Sequence, residues 1–317
     1  MKVTNAPTSP AVKPGRGTRS LRLQCHEFRL RYRPPFDWDA VVGFLGPRAI
    51  PGVETVKAGV YRRTIELAGH IGRIEVRPGR SNELRLLIEI ANLAPIPRIV
   101  ARVRWMFDLD TDPLPINAHL AQDNILEPLV ACRPGIRVPR AWDGFELGVR
   151  AILGQQVSVA AATTLAGRLT TLLGRRIPES GTSLTHMFPS PQRFVRWNAP
   201  GIGMPRRRAE AIRHFASAVQ AGHLAVEPVL SADAFRQRMC TIPGIGNWTA
   251  EYVAMRGLGD PDAFPAGDLA LVRAVKARTP RELLQRAERW RPWRAYAAMH
   301  LWSAGHAALQ RAHTCPG

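Results

Sequence analysis

Apolar positions along the chain change their period once. From about Leu21 to Ile90 they tend to alternate with polar ones, as on the buried face of a strand. "EFRLRY" reads as one strand, and "RIEVRPGRSNELRLLIEI" reads as two strands joined by a Pro-Gly turn. "FDWDAVVGFLG" lies between them and predicts a short helix begun at Asp37. The expected fold class is α+β, opening with an antiparallel α/β domain over residues 21–112. Pro113 and Pro115 predict a linker after it.

Beyond that point the apolar spacing is helical almost everywhere. "DGFELGVRAIL" opens on Asp143 with Glu146 three residues on, the pattern of a capping box. "SVAAATTLAGRLTTLLG" follows after the polar turn Gly154-Gln155-Gln156. "PRRRAEAIRHFASAVQAG" places Pro205 at a first helical position. "SADAFRQRM" then runs into "TIPGIGNWTAEYVAMRG", a glycine turn between two helices over about 231–257. "DLALVRAVKAR", "PRELLQRAERW" and "RPWRAYAAMHLWSAGHA" complete a mainly helical core over 113–317. Pro-Gly-Ile-Gly occurs twice, at Pro200–Gly203 and Pro243–Gly246. The first copy reads as a connector to a basic helix.

Composition then narrows the partners. The 317 residues hold 44 Lys and Arg against 25 Asp and Glu, a formal net charge of +19. Such an excess points to nucleic acid or an anionic membrane. The longest uncharged run, Ala151 to Gly167, contains two glutamines and is too short to span a bilayer, so no membrane partner is expected. Residues 1–20 are basic and rich in Pro, Ser and Thr, which predicts a disordered arm and not a leader peptide. The expected location is cytoplasmic. Cys25, Cys132, Cys240 and Cys315 are scattered, so zinc and iron–sulfur sites find no support. Cys240 reads as a buried helix thiol.

The second glycine turn carries the candidate chemistry. Gly244, Ile245 and Gly246 allow close approach of another backbone, and free N–H groups there would hold a phosphate without reading sequence. An ordinary connector fits the same residues. Arg206, Arg207, Arg208 and Arg256 could extend a phosphate track, or be solvated surface charges. Trp248 and Tyr252 share one helix face, as core pairs do, yet Trp248 lies in the first turn after the hairpin. That place suits the wall of a pocket for a flipped base. Asp268 precedes an apolar-periodic run, where Asp is an ordinary N-cap. Beside a sugar, the same carboxylate would stabilise positive charge developing as a glycosidic bond breaks.

Taken together, "DGFELGVRAILGQQVSVAAA", "PGIGNWTAEYVAMRG", "DAFPAGD" and "YAAMHLW" resemble segments of the helix-hairpin-helix-GPD superfamily of DNA glycosylases, in its order. Within it the likeness is to the AlkA-like alkylpurine branch, the DNA-3-methyladenine glycosylase II family. The spacing fits: 20 residues separate Trp248 from Asp268, and 34 separate Asp268 from Trp302. The resemblance implies a two-lobed helical core with a cleft between the lobes. It implies Asp268 as the catalytic aspartate and Trp248, Tyr252 and Trp302 around the base. The hairpin, with Gln155 and Gln156 in the facing turn, would contact DNA.

The same resemblance implies no required cofactor and no side-chain metal. A monovalent cation, sodium or potassium, would be held by the main-chain carbonyls of Cys240, Ile242 and Gly244. Trp248 stands where the lyase branches carry an attacking lysine, so a monofunctional enzyme is implied. The implied partner is double-stranded DNA containing alkylated bases, met by a monomer in a bacterial, nucleoid-associated setting. Two positions depart from the branch: Gln156 replaces an apolar wedge, and Leu269 an aromatic. A non-catalytic helix-hairpin-helix DNA-binding protein, or a glycosylase for other damaged bases, remain the rival readings.

Overall fold

The computed structural model describes residues 23–178, 181–198, 202–226 and 231–314, with side chains to residue 305. The arm at 1–20, Cys315, and Pro200 and Gly201 of the first Pro-Gly-Ile-Gly copy lie outside the described residues.

The alternating region forms one antiparallel sheet. Its strands are β1 (Gln24–Arg31), β2 (Glu54–Lys57), β3 (Val60–Leu67), β4 (His70–Pro78) and β5 (Glu83–Ile90), in the order β1-β5-β4-β3-β2. Two tight hairpins close on Ala58-Gly59 and Ala68-Gly69, all four residues at positive φ. Alanine is an unusual choice there, which is why β2 and β3 carry no typical turn signature in the sequence. Leu84, Leu86, Ile88 and Ile90 alternate onto the buried face. Phe107 packs there between Trp38 and Tyr61, with ring centroids 5.3 and 5.6 Å away. Each such large side chain, fully buried, contributes about 1.5–3 kcal/mol.

Helix α1 (Trp38–Leu45) lies between β1 and β2 in sequence and α2 (Ile96–Met106) follows β5, and α1 is capped by Asp37 as expected. The expected linker at Pro113 and Pro115 is instead α3 (Pro113–Leu120). Proline at the first helical position lacks only an N–H that has no helical partner, and Asp112 caps the N–H of Leu114. Next come α4 (Glu127–Cys132), α5 (Gly144–Leu153), α6 (Val159–Leu173), α7 (Pro191–Val195) and α8 (Arg206–Gln220). Pro205 sits one place earlier than expected, at the N-cap of α8. After these run α9 (Ala232–Cys240), α10 (Asn247–Val253), α11 (Leu269–Ala274), α12 (Pro280–Ala287) and α13 (Arg294–Thr314). No helix of the described residues is long and apolar enough to cross a membrane.

The capping box at α5 forms by half. Asp143 accepts from the Glu146 N–H at 2.7 Å, but the Glu146 side chain turns inward. There it meets Arg63 of β3 at 2.7 Å and Arg150 at 2.9 Å. Glu54 of β2 completes a buried cluster, 2.7 Å from Arg150 and 3.4 Å from Arg63, and accepts from the Tyr61 hydroxyl at 2.6 Å. Two sheet strands are thereby tied to the helix that leads to the Gly154–Gln156 turn. Burial alone would raise the Glu54 carboxyl, but Arg150 and Arg63 more than offset it and hold it at about 2.

Candidate active site

The hairpin fixes where α10 begins. Gly244 sits at φ +85°, and a Cβ there would lie 2.6 Å from the Ala211 Cβ on α8, so only glycine fits. Ile242 and Ile245 are buried and pin the turn to the core. Gly246, the N-cap of α10, has open space where a Cβ would stand. The N–H groups of Gly244 and Gly246 donate to nothing among the described residues. An exposed turn with free donors is able to accept a phosphate.

The Gly154–Gln156 turn packs beside this hairpin. Gln155 is half-buried, and its amide nitrogen donates to the Gly244 carbonyl at 3.1 Å and to Thr249 Oγ1 at 3.0 Å. Arg208 Nη2 donates to the Gln155 carbonyl at 2.7 Å. The Gln155 amide nitrogen therefore braces one turn against the other. Gln156 next to it is exposed at φ +55°, a left-handed conformation that a side chain adopts with strain. Arg206 is exposed and pairs with Glu210, and Arg207 is exposed.

From the hairpin, α10 carries Trp248 and Tyr252 one turn apart. Their rings stack at 5.3 Å and 11°, and Trp302 of α13 meets Tyr252 edge-on at 6.2 Å. Asp268 caps α11: Oδ1 accepts from the N–H groups of Ala270 at 2.9 Å and Leu271 at 3.2 Å. The same carboxylate takes both indoles, Trp302 Nε1 on Oδ1 at 3.2 Å and Trp248 Nε1 on Oδ2 at 3.3 Å. Four N–H donors hold one carboxylate in place. Asp268, Trp248, Tyr252 and Trp302 line one cavity of about 230 Å³. Leu269, the next residue after the aspartate, is exposed.

Other walls of this cavity come from residues that the sequence reading did not place there. Arg48, just beyond α1, lines it, with its guanidinium 3.9 Å from the Phe44 ring centroid and Nη1 donating to the Phe44 carbonyl at 2.9 Å. Phe44 in turn stacks on Trp302 at 6.2 Å. Arg256, expected on a phosphate track or the surface, is buried instead. After Val253 the helix widens into a π-helical turn, Ala254–Leu258, and Arg256 keeps to the face of Tyr252, four residues before it. Its Nε donates to the Pro139 carbonyl at 2.7 Å and its Nη1 to the Tyr252 hydroxyl at 2.7 Å. Burial pushes the Tyr252 hydroxyl up, but Arg256, Arg48 and Arg150 more than offset this and hold it below the ordinary phenol range.

Cys240 is exposed, contrary to its expected burial. Helix α9 packs through Phe235 and Met239, and the residue after Met239 points about 100° away. No cluster of His, Cys, Asp or Glu among the described residues could hold a metal ion. Of the carbonyls expected to face a monovalent cation, Ile242 already accepts from the Ile245 N–H at 3.1 Å and Gly244 from Gln155. Each keeps a second lone pair.

A helix-hairpin-helix beside a carboxylate-bearing aromatic cleft, on a five-stranded sheet domain, defines the class. A family model described as the AlkA N-terminal domain matches residues 27–143, and the HhH-GPD superfamily base excision DNA repair protein model matches 149–289. The chain is 36% identical to DNA-3-methyladenine glycosylase 2 of Escherichia coli (strain K12), over 87% of this chain and 96% of that one. It is 39% identical to the probable bifunctional transcriptional activator/DNA repair enzyme AlkA of Mycobacterium tuberculosis (strain H37Rv), over 90% of this chain. The match spans 57% of that relative's length. Among solved structures, 3-methyladenine DNA-glycosylase from Archaeoglobus fulgidus superposes with a TM-score of 0.77 at 22% identity, covering 88% and 98% of the two chains, which shows the shared fold. The chain belongs to the HhH-GPD superfamily of base excision DNA repair proteins, in its AlkA-like branch.

Proposed function

We propose that this protein is a monofunctional DNA glycosylase that flips alkylated purines of the 3-methyladenine type out of double-stranded DNA and hydrolyses their N-glycosidic bond. One observation carries the reading: the Asp268 carboxylate, fixed by four N–H donors, borders a cavity walled by Trp248, Tyr252 and Trp302. An alkylated purine is cationic and leaves easily, and the electron-rich indole faces favour it by ~0.5–2 kcal/mol. Among the described residues Asp268 Oδ2 accepts only the Trp248 N–H, which leaves lone pairs to stabilise the oxocarbenium-like sugar and to orient water. The hairpin N–H groups at Gly244 and Gly246 take a phosphate, and Gln156 enters the vacated stack. The protein acts as a monomer among nucleoid DNA. A sodium or potassium ion on the Cys240, Ile242 and Gly244 carbonyls would add positive charge beside that phosphate.

The E. coli relative, a DNA-3-methyladenine glycosylase by name, supports the substrate class. The place of Trp248 supports water as the nucleophile, since an indole forms no Schiff base. Base release from methylated duplex DNA tests both parts, comparing the native chain with Asp268→Asn. Asparagine keeps the helix cap, so the fold persists. Release should fall about 10²–10³-fold while DNA binding is retained, and strand breaks should appear only after alkali. Binding without release by the native chain would instead mark a non-catalytic DNA-binding protein.

A further inference from the structure

Two of the arginines that line the cavity have no ion-pair partner among the described residues. Arg63 and Arg150 share Glu54 and Glu146, whereas neither Arg48 nor Arg256 forms an ion pair among the described residues. Arg256 is committed to Pro139 and Tyr252. Arg48 is only half-buried, lines the cavity, and donates Nη1 to the Phe44 carbonyl. A guanidinium has five N–H donors and no acceptor, and stacking on Phe44 holds its plane in a set direction.

Asp268 sits at the two indole N–H groups, while the Arg48 guanidinium lies on the same Phe44 ring as the Arg256 guanidinium, which donates to the Tyr252 hydroxyl. A purine whose glycosidic bond lies at Asp268 presents the opposite ring edge, with its 6-substituent, to the Tyr252 end. A 6-oxo group offers a lone pair to that end. A 6-amino group offers N–H bonds, so donor faces donor, beside a positive charge. On the glycosylase reading above, we propose that Arg48 is a specificity-determining residue, donating to the exocyclic oxygen of guanine-type bases and so extending the pocket's range to them beside adenine-type ones.

The test is single-turnover release of 7-methylguanine and of 3-methyladenine from one duplex sequence, by the full chain and by Arg48→Met. Losing a hydrogen bond from a charged donor should lower 7-methylguanine release about ten- to hundredfold. Release of 3-methyladenine should change far less, and Arg48→Lys should restore part of the ratio. Should Arg48→Met fail to fold, Arg48→Gln asks the same question with a shorter amide. An equal fall for both bases, with the ratio unmoved, would assign Arg48 to packing on Phe44 and overturn the proposal. A native chain that releases neither base would sink the glycosylase reading itself, which is a separate outcome.

Discussion

Asp268 shows how one side chain serves two ends. Its Oδ1 takes the N–H groups that open α11 and one indole, leaving Oδ2 turned to the second indole and the cavity. Loss of a cap costs about 1 kcal/mol, which is why alanine at this position would mix folding with chemistry. Gln156 poses the opposite case, a residue under strain at an exposed tip. A left-handed side chain costs roughly 1–2 kcal/mol, while glycine there adds back a similar loss of chain entropy. Gln156→Gly should therefore change folding stability by less than about 1 kcal/mol in urea melts. If the side chain fills the vacated stack, base release from fully paired duplex should drop about tenfold or more, and less from a duplex with a mismatch at the lesion. Equal rates on both duplexes would remove Gln156 from the flipping step.

At the scale of elements, the helix-hairpin-helix depends on two glycines with different reasons. Gly244 needs its positive φ and its lack of a Cβ against α8, so Gly244→Ala should destabilise the fold by several kcal/mol, visible as a lowered Tm. Gly246 needs neither, since its Cβ would project into open space. Gly246→Ala should leave Tm nearly unchanged yet weaken duplex binding severalfold, with a shallower salt dependence. Unchanged binding would mean that no phosphate approaches there. The neighbouring elements were legible to different degrees. Asp37, Asp143, Ser158, Ser231 and Asp268 all cap helices in the structure, because capping is decided within three residues of sequence. Pro113 and Pro115 misled, because proline tolerates a first helical turn as readily as a loop. The π-helical turn at Ala254–Leu258 left no sequence signal, whereas the inward place of Arg256 could have been read from its spacing of four from Tyr252.

The whole molecule combines a surface of net charge +19 with a buried charge cluster that joins its two halves. Removing one partner from such a cluster leaves an uncompensated ion, typically a loss of about 3–5 kcal/mol. Acid reaches the molecule earlier through His300 of α13, which is buried and pushed down to about 4, mainly by that burial. The unfolded chain binds this proton near pH 6.5 and the folded chain near 4, so stability falls as pH drops between those values. The loss from this group should approach about 3 kcal/mol by pH 4, read in urea melts, and His300→Gln should remove it. Glu54 acts lower still: its contribution is complete above about 4.5 and disappears as pH falls through about 2. A stability profile flat from pH 6.5 to 4 would show that His300 is solvated in solution.

Sequence by itself determined what depends on neighbours in the chain. The sheet-then-helix order, the caps, the glycine turn and the pairing of Trp248 with Tyr252 follow from local periodicity and steric limits. It also marked Asp268 and Trp302 through a family likeness, without showing that both indoles reach the same carboxylate. Tertiary structure alone decided that meeting, and it alone brought Arg48 from the sheet domain to the cavity and Phe44 against Trp302. The Arg63–Glu146 and Arg150–Glu54 pairs span 83 and 96 residues. No local pattern encodes contacts at such separations, because they arise only when packed layers place two buried charges where neither can be left without the other.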